Sequence, residues 1–165
     1  MICPVCRFGN FPGDDMCANC GADLWNADTP QQATAFRGPL LGMQLDDLGA
    51  PAPQLMDAGA GVDEAITRMQ SDGVDCLLVT QGGALVGIFT DRDAILKVAG
   101  RPTDGLTLED VMTPDPVILR SGDAVAVAIH KMAVGGFRHV PIVDGGVPTG
   151  VVSARDVFRH LAAGL

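Results

Sequence analysis

GIFTDRD, residues 87–93, is matched 63 positions later by GVVSARD, residues 150–156. Each copy begins with an apolar run and then changes to Thr/Ser-x-x-Asp, which predicts a strand that is followed directly by a helix. The two copies belong to a longer match, because residues 45–100 align with residues 108–163 without a gap. The sequence therefore predicts one supersecondary unit that occurs twice, with the two copies related by a pseudo-twofold axis.

Each copy predicts the element order β-α-β-β-α, so the expected fold class is α+β with two tandem repeats. The first helix of each copy carries apolar residues at i, i+3, i+4 and i+7: Val62, Ala65, Ile66 and Met69, then Val125, Ala128, Ile129 and Met132. The extended segment before this helix is clearest at residues 116–119. A buried strand, a Gly-Gly hairpin and a second strand follow the helix. Cys76 lies in the first buried strand and is interpreted as an ordinary core cysteine.

Four segments resemble the cystathionine-β-synthase (CBS) domain family. Residues 87–93 and 150–156 resemble the signature that closes each CBS repeat, RHVPIVD at 138–144 resembles the middle strand, and LEDVMTP at 108–114 resembles the opening of a second repeat. The resemblance spans residues 45–165, with repeat 1 at 45–103 and repeat 2 at 104–165. It implies a homodimer formed through the repeats, and an adenine nucleotide (AMP, ADP or ATP) or related adenosyl ligand bound between them.

Thr90 with Asp93, and Ser153 with Asp156, are the candidate ligand-binding pairs. Unpaired N–H groups at a helix start favour a phosphate, and a carboxylate three residues on can accept from ribose hydroxyls. We name the two regions the Asp93 cleft and the Asp156 cleft. The same Ser/Thr-x-x-Asp pattern is close to a capping box, which needs no ligand, so both interpretations stay open.

The resemblance implies that the two clefts differ. It places Arg138 and His139 near the Asp93 cleft, with Arg155 as a third contact to phosphate. Their counterparts, Asp75 and Cys76, would lie beside the Asp156 cleft, where only Arg92 adds positive charge. We therefore expect phosphate binding in the Asp93 cleft, whereas the Asp156 cleft is weak, empty or takes a less charged adenosyl ligand.

Two C-x-x-C pairs lie near the N-terminus: Cys3, Cys6, Cys17 and Cys20. Two such turns can bring four thiolates to the corners of a tetrahedron, the geometry of structural Zn²⁺. Residues 1–25 resemble a zinc ribbon, in which all four cysteines are ligands and no position is open for catalysis. Two disulfides, four free thiols on a disordered tail, and iron remain alternatives. The surface charge of this segment favours a protein partner, and residues 26–44 are interpreted as a linker.

Composition narrows the function classes. The formal net charge of −9, with no basic run, argues against nucleic-acid binding. No segment approaches the roughly 20 apolar residues that cross a bilayer, and no signal peptide is recognisable, so we expect a cytoplasmic protein without a membrane partner. No known catalytic motif is present, so we expect a non-catalytic regulatory module. The alternative is a ligand-free dimerisation or interaction scaffold with degenerate clefts.

Overall fold

The chain divides into two compact units, Met1–Gly42 and Met43–Leu165. The computed structural model describes residues 3, 5–10, 16–22, 24 and 42–163. Most of the predicted linker, residues 26–44, therefore lies outside the described residues. Its last two residues, Met43 and Gln44, fall in the second unit.

The first repeat is built on a four-stranded sheet in the order β1-β2-β3-β4. Its strands are β1 (Leu55–Asp57), β2 (Cys76–Gln81), β3 (Ala84–Thr90) and β4 (Thr113–Pro114). β1 is parallel to β2, and the other neighbours are antiparallel. Helix α1 (Val62–Asp72) joins β1 to β2 and buries Val62, Ala65 and Met69, which confirms the predicted apolar face.

The helix after β3 is short and irregular. Its first turn, α2 (Asp91–Asp93), continues as a π-helical segment, Ala94–Val98. A second short helix, α3 (Leu108–Val111), precedes β4. The second repeat follows with α4 (Val125–Gly135), β5 (His139–Asp144), β6 (Val147–Ser153) and α5 (Ala154–Ala163). Among the described residues, no helix is long and apolar enough to cross a membrane.

The first strand of the repeat is complete only in repeat 1, although the sequence indicated it most clearly in repeat 2. There it is reduced to one parallel bridge, Leu119 with Ile142. One reason is that the Leu78 N–H bonds the Gln54 carbonyl at 2.9 Å, whereas the equivalent of Leu78 is Pro141, which has no N–H to donate. The parallel hydrogen-bond ladder between the first two strands is therefore shorter in repeat 2 than in repeat 1.

The predicted Gly-Gly hairpins are present in both repeats. Gly82 and Gly83 have φ values of 59° and 86°, and Gly145 and Gly146 have values of 60° and 83°. Two successive residues with positive φ form the turn that matches the twist of a two-residue hairpin, and glycine adopts that backbone without steric cost.

The segment that opens each repeat packs on the other repeat. The Leu108 and Glu109 N–H groups bond the Ala60 and Ala58 carbonyls at 2.9 Å. Leu108 and Val111 are buried in the hydrophobic core of repeat 1. The matching one-turn segment, Leu45–Leu48, instead bonds residues 121 and 123 of repeat 2. This reciprocal arrangement supports the pseudo-twofold axis predicted from the sequence repeat.

Candidate functional site

A capping box begins each helix that follows a hairpin. Asp93 Oδ2 accepts hydrogen bonds from the Thr90 N–H at 3.0 Å and the Thr90 hydroxyl at 2.7 Å, and Thr90 Oγ1 accepts from the Asp93 N–H at 3.3 Å. Ser153 and Asp156 form the same three bonds at 2.9, 2.6 and 3.2 Å. The capping interpretation of Thr/Ser-x-x-Asp is confirmed, and each hydroxyl already donates to its own carboxylate.

The backbone N–H groups at these helix starts are mostly paired, contrary to the expectation that they are open to a phosphate. The Asp91 N–H bonds the Asp75 carbonyl at 3.0 Å, and the Arg92 N–H bonds the Asp91 carboxylate at 2.8 Å. In α5 the Ala154 N–H bonds a backbone carbonyl at 2.8 Å. Only the Arg155 N–H lacks a partner among the described residues. An anion in the Asp93 cleft would therefore be held by side-chain cations.

The Asp93 cleft is a cavity of about 290 Å³ between the two repeats. Repeat 1 contributes the capping box, and repeat 2 contributes the segment 135–139. The cavity is lined by Ile88, Thr90, Asp91, Arg92, Asp93, Leu96, Thr113, Gly135, Gly136, Phe137, Arg138 and His139. The structure thus brings Arg138 and His139 to the capping box of the other repeat, as expected. The cavity is near the lower end of the size range of small-molecule pockets.

The positions of two arginines correct the sequence-based assignment. Arg92 lines the Asp93 cleft, and its guanidinium donates to the Gly136 carbonyl at 3.3 Å. Arg155 lines the Asp156 cleft, where its guanidinium lies 3.9 Å from the Asp75 carboxylate. Each arginine precedes the capping aspartate by one residue on the same helical turn. It therefore stays beside its own cleft and does not reach the opposite one.

Asp93 is held by more than its capping box. Its Oδ1 lies 2.8 Å from the Lys97 ammonium and accepts from the Thr113 hydroxyl at 3.1 Å. Burial raises the pKa of the Asp93 carboxyl, but the hydrogen bonds from Lys97, Thr90 and Thr113 outweigh burial and lower that pKa below its ordinary value. Lys97 was not singled out from the sequence, although Asp93-x-x-x-Lys97 is the i,i+4 spacing of a helical ion pair.

The Asp156 cleft is a second cavity between the repeats, of about 240 Å³. Its charged lining comprises Asp75, Arg155, Asp156 and Arg159. Sequence reasoning missed Arg159, whose signal was its position three residues after Asp156 on one helix face. Asp156 Oδ1 has no hydrogen-bond or ion-pair partner among the described residues. One carboxylate oxygen in this cleft is thus free to accept from a ligand.

The two clefts share a wall formed by the starts of β2 and β5. His139 lines both cavities, and its Nε2 lies 3.1 Å from the Asp75 carboxylate. Cys76 is only partly buried and lines the Asp156 cleft, so it is not wholly a core residue as its strand context predicted. Burial, with the nearby Asp75, Asp156 and Asp91 carboxylates, raises the pKa of the Cys76 thiol to about 12.

The N-terminal unit brings the four predicted ligand cysteines together. Cys3 Sγ and Cys20 Sγ are 3.7 Å apart, and Cys6 Sγ and Cys17 Sγ are 3.5 Å apart. All four sulfurs lie within 4.8 Å of one another. These cysteines are free, and the separations exceed the S–S bond length of about 2.05 Å. Tetrahedral Zn–S bonds of about 2.3 Å would place the sulfurs about 3.8 Å apart, so the cluster fits a metal of that class.

Two equivalent turns build this cluster. The Arg7 N–H bonds the Cys3 carbonyl at 3.0 Å, and the Gly21 N–H bonds the Cys17 carbonyl at 2.8 Å. Arg7 and Gly21 both have positive φ, at 60° and 69°. Backbone N–H groups of these turns therefore point toward the sulfurs, and the Cys6 N–H donates to Cys3 Sγ at 3.5 Å. Burial raises the pKa of Cys17, but backbone N–H groups and neighbouring thiols lower it to about 6, which favours one thiolate in the cluster.

Comparisons with known proteins agree with the repeat architecture. The CBS domain family profile matches residues 50–100 and 108–163. The CBS domain-containing protein CBSCBSPB5 of Arabidopsis thaliana is 43% identical over 104 residues, which is 59% of this chain and 18% of that protein. The chain thus spans less than a fifth of that relative. The protein YlbB of Bacillus subtilis is 32% identical over 99 residues, which is 58% of this chain and 67% of YlbB.

A solved structure shares the fold of the second unit. The CBS domain protein PAE2072 from Pyrobaculum aerophilum, complexed with AMP, is 26% identical and superposes with a TM-score of 0.64. The superposition covers 73% of this chain and 99% of that chain. The family match covers well over half of the 165 residues, in the two stretches that form the structural repeats. The chain therefore belongs to the CBS domain family.

Proposed function

We propose that the second unit is a non-catalytic regulatory module that binds an adenine nucleotide or adenosyl ligand between its repeats. The observation that carries this proposal is the Asp93 cleft, where Arg138 of repeat 2 faces the Thr90–Asp93 capping box of repeat 1. A guanidinium can bind a phosphate. Both Asp93 oxygens already have two partners each, in Thr90, Lys97 and Thr113, so a ribose hydroxyl would replace one of these contacts. The AMP complex of PAE2072 supports the ligand class.

The charges of the clefts support different ligands. In the Asp93 cleft, Arg92 and Arg138 oppose Asp91 and Asp93, and Lys97 behind the carboxylate leaves an excess of one positive charge. Arg138 is also loosely held, because its side chain is 63% exposed and its guanidinium lies 3.5 Å from the Asp91 carboxylate. In the Asp156 cleft, two arginines balance two aspartates. The Asp93 cleft therefore suits a phosphate, and the Asp156 cleft suits a less charged adenosyl ligand.

Arginine variants test the assignment. We expect R138A to weaken AMP binding about 10- to 100-fold, because a charge-assisted hydrogen bond contributes roughly 1.5–3 kcal/mol. R155A is the matched control, since Arg155 is equally exposed and borders the other cleft. Isothermal titration calorimetry with AMP, ADP, ATP and S-adenosylmethionine measures both the affinity and the number of sites.

Two outcomes would change the proposal. If R138A and R155A bind AMP equally well, the phosphate does not occupy the Asp93 cleft. If none of the four ligands binds the wild-type chain, the clefts are degenerate, and the scaffold alternative replaces ligand binding.

The four-cysteine cluster is the second element of the proposal, as a structural zinc knuckle that docks a partner protein or stabilises a dimer. Cys3 and Cys17 are almost fully buried, with 0% and 3% exposure, and four sulfurs complete a tetrahedral shell. We expect C3S/C17S to lose one zinc per chain by inductively coupled plasma mass spectrometry. Visible thiolate-to-iron absorption in the isolated protein would instead identify iron.

A cytoplasmic homodimer completes the proposal. Ile95 and Phe158 occupy equivalent positions in the two repeats and are 67% and 70% exposed. Leu96, beside Ile95 in the chain, is also 67% exposed, so repeat 1 presents two large apolar side chains to solvent at this position. We expect a second copy of the repeats to bury these exposed side chains. Light scattering should show a dimer for the wild type and a monomer for I95S/F158S, and an unchanged mass would exclude this interface.

A further inference from the structure

Three metal-ligating side chains of the second unit meet where the repeats join. A carboxylate oxygen of Asp75, the Cys76 Sγ and an imidazole nitrogen of His139 all lie within 4.8 Å of one another. Cys76 and His139 occupy the same position in their repeats, at the first residues of β2 and β5. The pseudo-twofold axis therefore brings this thiol and this imidazole together, and Asp75 adds an oxygen beside them.

The geometry points to a second metal site, in which Asp75, Cys76 and His139 bind a divalent transition metal of the zinc class. Thiolate, imidazole and carboxylate are the three ligand types that Zn²⁺ takes. With Zn–N and Zn–O bonds of about 2.0–2.1 Å, a tetrahedral site separates nitrogen from oxygen by about 3.3 Å. The His139 Nε2 to Asp75 Oδ1 distance is 3.1 Å. Sulfur would lie about 3.6 Å from either atom, and the ligand atoms are within 4.8 Å of one another, so Cys76 needs an adjustment of at most about 1.2 Å.

The surroundings of the three ligands favour a cation. Asp91 and Asp156 are close enough to act electrostatically on the Cys76 thiol, in addition to Asp75. Arg155, which lies 3.9 Å from Asp75, is 66% exposed and can turn into solvent when a metal replaces it. The Asp75, Asp91 and Asp156 carboxylates would stabilise a divalent ion at this position, and they oppose the positive charges of Arg155 and Arg159 in the same cleft.

One coordination position would remain open. The His139 side chain is only 7% exposed and is thus fixed in the wall, whereas the Asp75 side chain is 40% exposed. All three residues line the Asp156 cleft. The fourth ligand would therefore come from that cavity, as water or as a donor atom of a bound molecule. Three protein ligands with one open position distinguish this site from the closed four-sulfur cluster.

Cadmium NMR on the full chain tests the site without any adenosyl ligand. After loading with ¹¹³Cd²⁺, we expect two resonances, because the chemical shift of cadmium depends strongly on the number of sulfur ligands. One resonance belongs to the four-sulfur cluster and the other, at lower frequency, to the one-sulfur site. Metal content by mass spectrometry should be two per wild-type chain.

Single variants separate the two sites. C76S and H139Q should each remove the lower-frequency resonance and one metal while retaining the four-sulfur resonance. H130Q is the matched control, since His130 is exposed on α4, and should retain both. Circular dichroism establishes that each variant is folded, and D75N replaces any variant that is not. A single resonance in the wild type, or a second resonance that persists in folded C76S and H139Q, would overturn the proposal.

Discussion

Thr90–Lys97 and Ser153–His160 occupy the same place in the two repeats, yet they hold their aspartates differently. Both segments form the same capping box. Asp93 has a second set of partners in Lys97 and Thr113, whereas Asp156 Oδ1 has none among the described residues. The cap is common because it starts the helix in either repeat. The residue seven positions after the capping Thr or Ser differs between the repeats, as Lys97 and His160. It decides whether the capping aspartate has a positively charged partner.

The glycine in the strand before each cap should show the largest difference between repeats. A Cβ on Gly87 would overlap Met112 Sδ and lie 2.9 Å from Met112 Cγ and 3.1 Å from the Thr113 carbonyl. A Cβ on Gly150 would meet its nearest atom, Ala50 Cβ, only at 3.3 Å. We expect G87A to lower the free energy of unfolding by about 2–3 kcal/mol and G150A by less than about 1 kcal/mol. Urea denaturation followed by circular dichroism measures both, and equal losses would contradict the packing difference.

Lys97 and His160 test the second difference. The Lys97 ammonium donates to the Val111 and Met112 carbonyls at 2.8 and 3.0 Å in addition to its ion pair with Asp93. Its side chain is 38% exposed, so solvent screening limits the contribution of the charge. We expect K97A to cost about 2 kcal/mol. H160A changes the equivalent position and should cost less than about 0.5 kcal/mol.

The same denaturation series decides this prediction. K97M serves as a second variant that keeps most of the aliphatic stem. If K97A and K97M are both as stable as the wild type, Lys97 does not hold Asp93 in solution.

The smallest effect concerns the Asp93 charge and depends on pH. Because hydrogen bonds lower the pKa of the Asp93 carboxyl in the folded protein, its stabilising contribution is complete at neutral pH. That contribution is lost as the pH falls through the lowered pKa. We expect D93N to cost about 1 kcal/mol at pH 7, with the difference from wild type shrinking below about pH 4.

Melting temperatures at a series of pH values measure this dependence. D156N is the control at pH 7, where we expect a smaller loss because Asp156 has no lysine partner in the described structure. A D93N penalty that is constant from pH 7 to pH 3 would show that the Asp93 charge does not stabilise the fold.

Local patterns in the sequence were sufficient to predict the repeat, the apolar helix face, the hairpins and the capping residues. Each of these depends on residues close in the chain, as the Val62–Met69 spacing illustrates. The exchange of Arg92 and Arg155 between clefts was not predictable in the same way, because it depends on which way a side chain leaves a helical turn. Resemblance gave the positions of Arg138 and His139 correctly but not the directions of these two arginines.

Other parts of the site arise only from tertiary structure. His139 is 63 residues from Cys76 and 64 from Asp75, and only the pseudo-twofold axis brings it beside them. The loss of the first strand in repeat 2 has a local cause that could have been found: Pro141 stands where Leu78 donates a ladder bond. The apolar run at residues 116–119 predicts a strand by itself, but the proline in the neighbouring strand cannot donate to it.

The reciprocal packing of the opening segments has a consequence for how the chain is made. Repeat 1 lacks part of its core until Leu108 and Val111 have left the ribosome. Residues 43–48, although synthesised first, find their hydrogen-bond partners only when residues 121–125 emerge. Neither half is thus a self-contained product of translation. A gene fragment that stops at the end of repeat 1 as judged from the sequence, residue 103, would encode a sheet without β4 and a core without its closing helix.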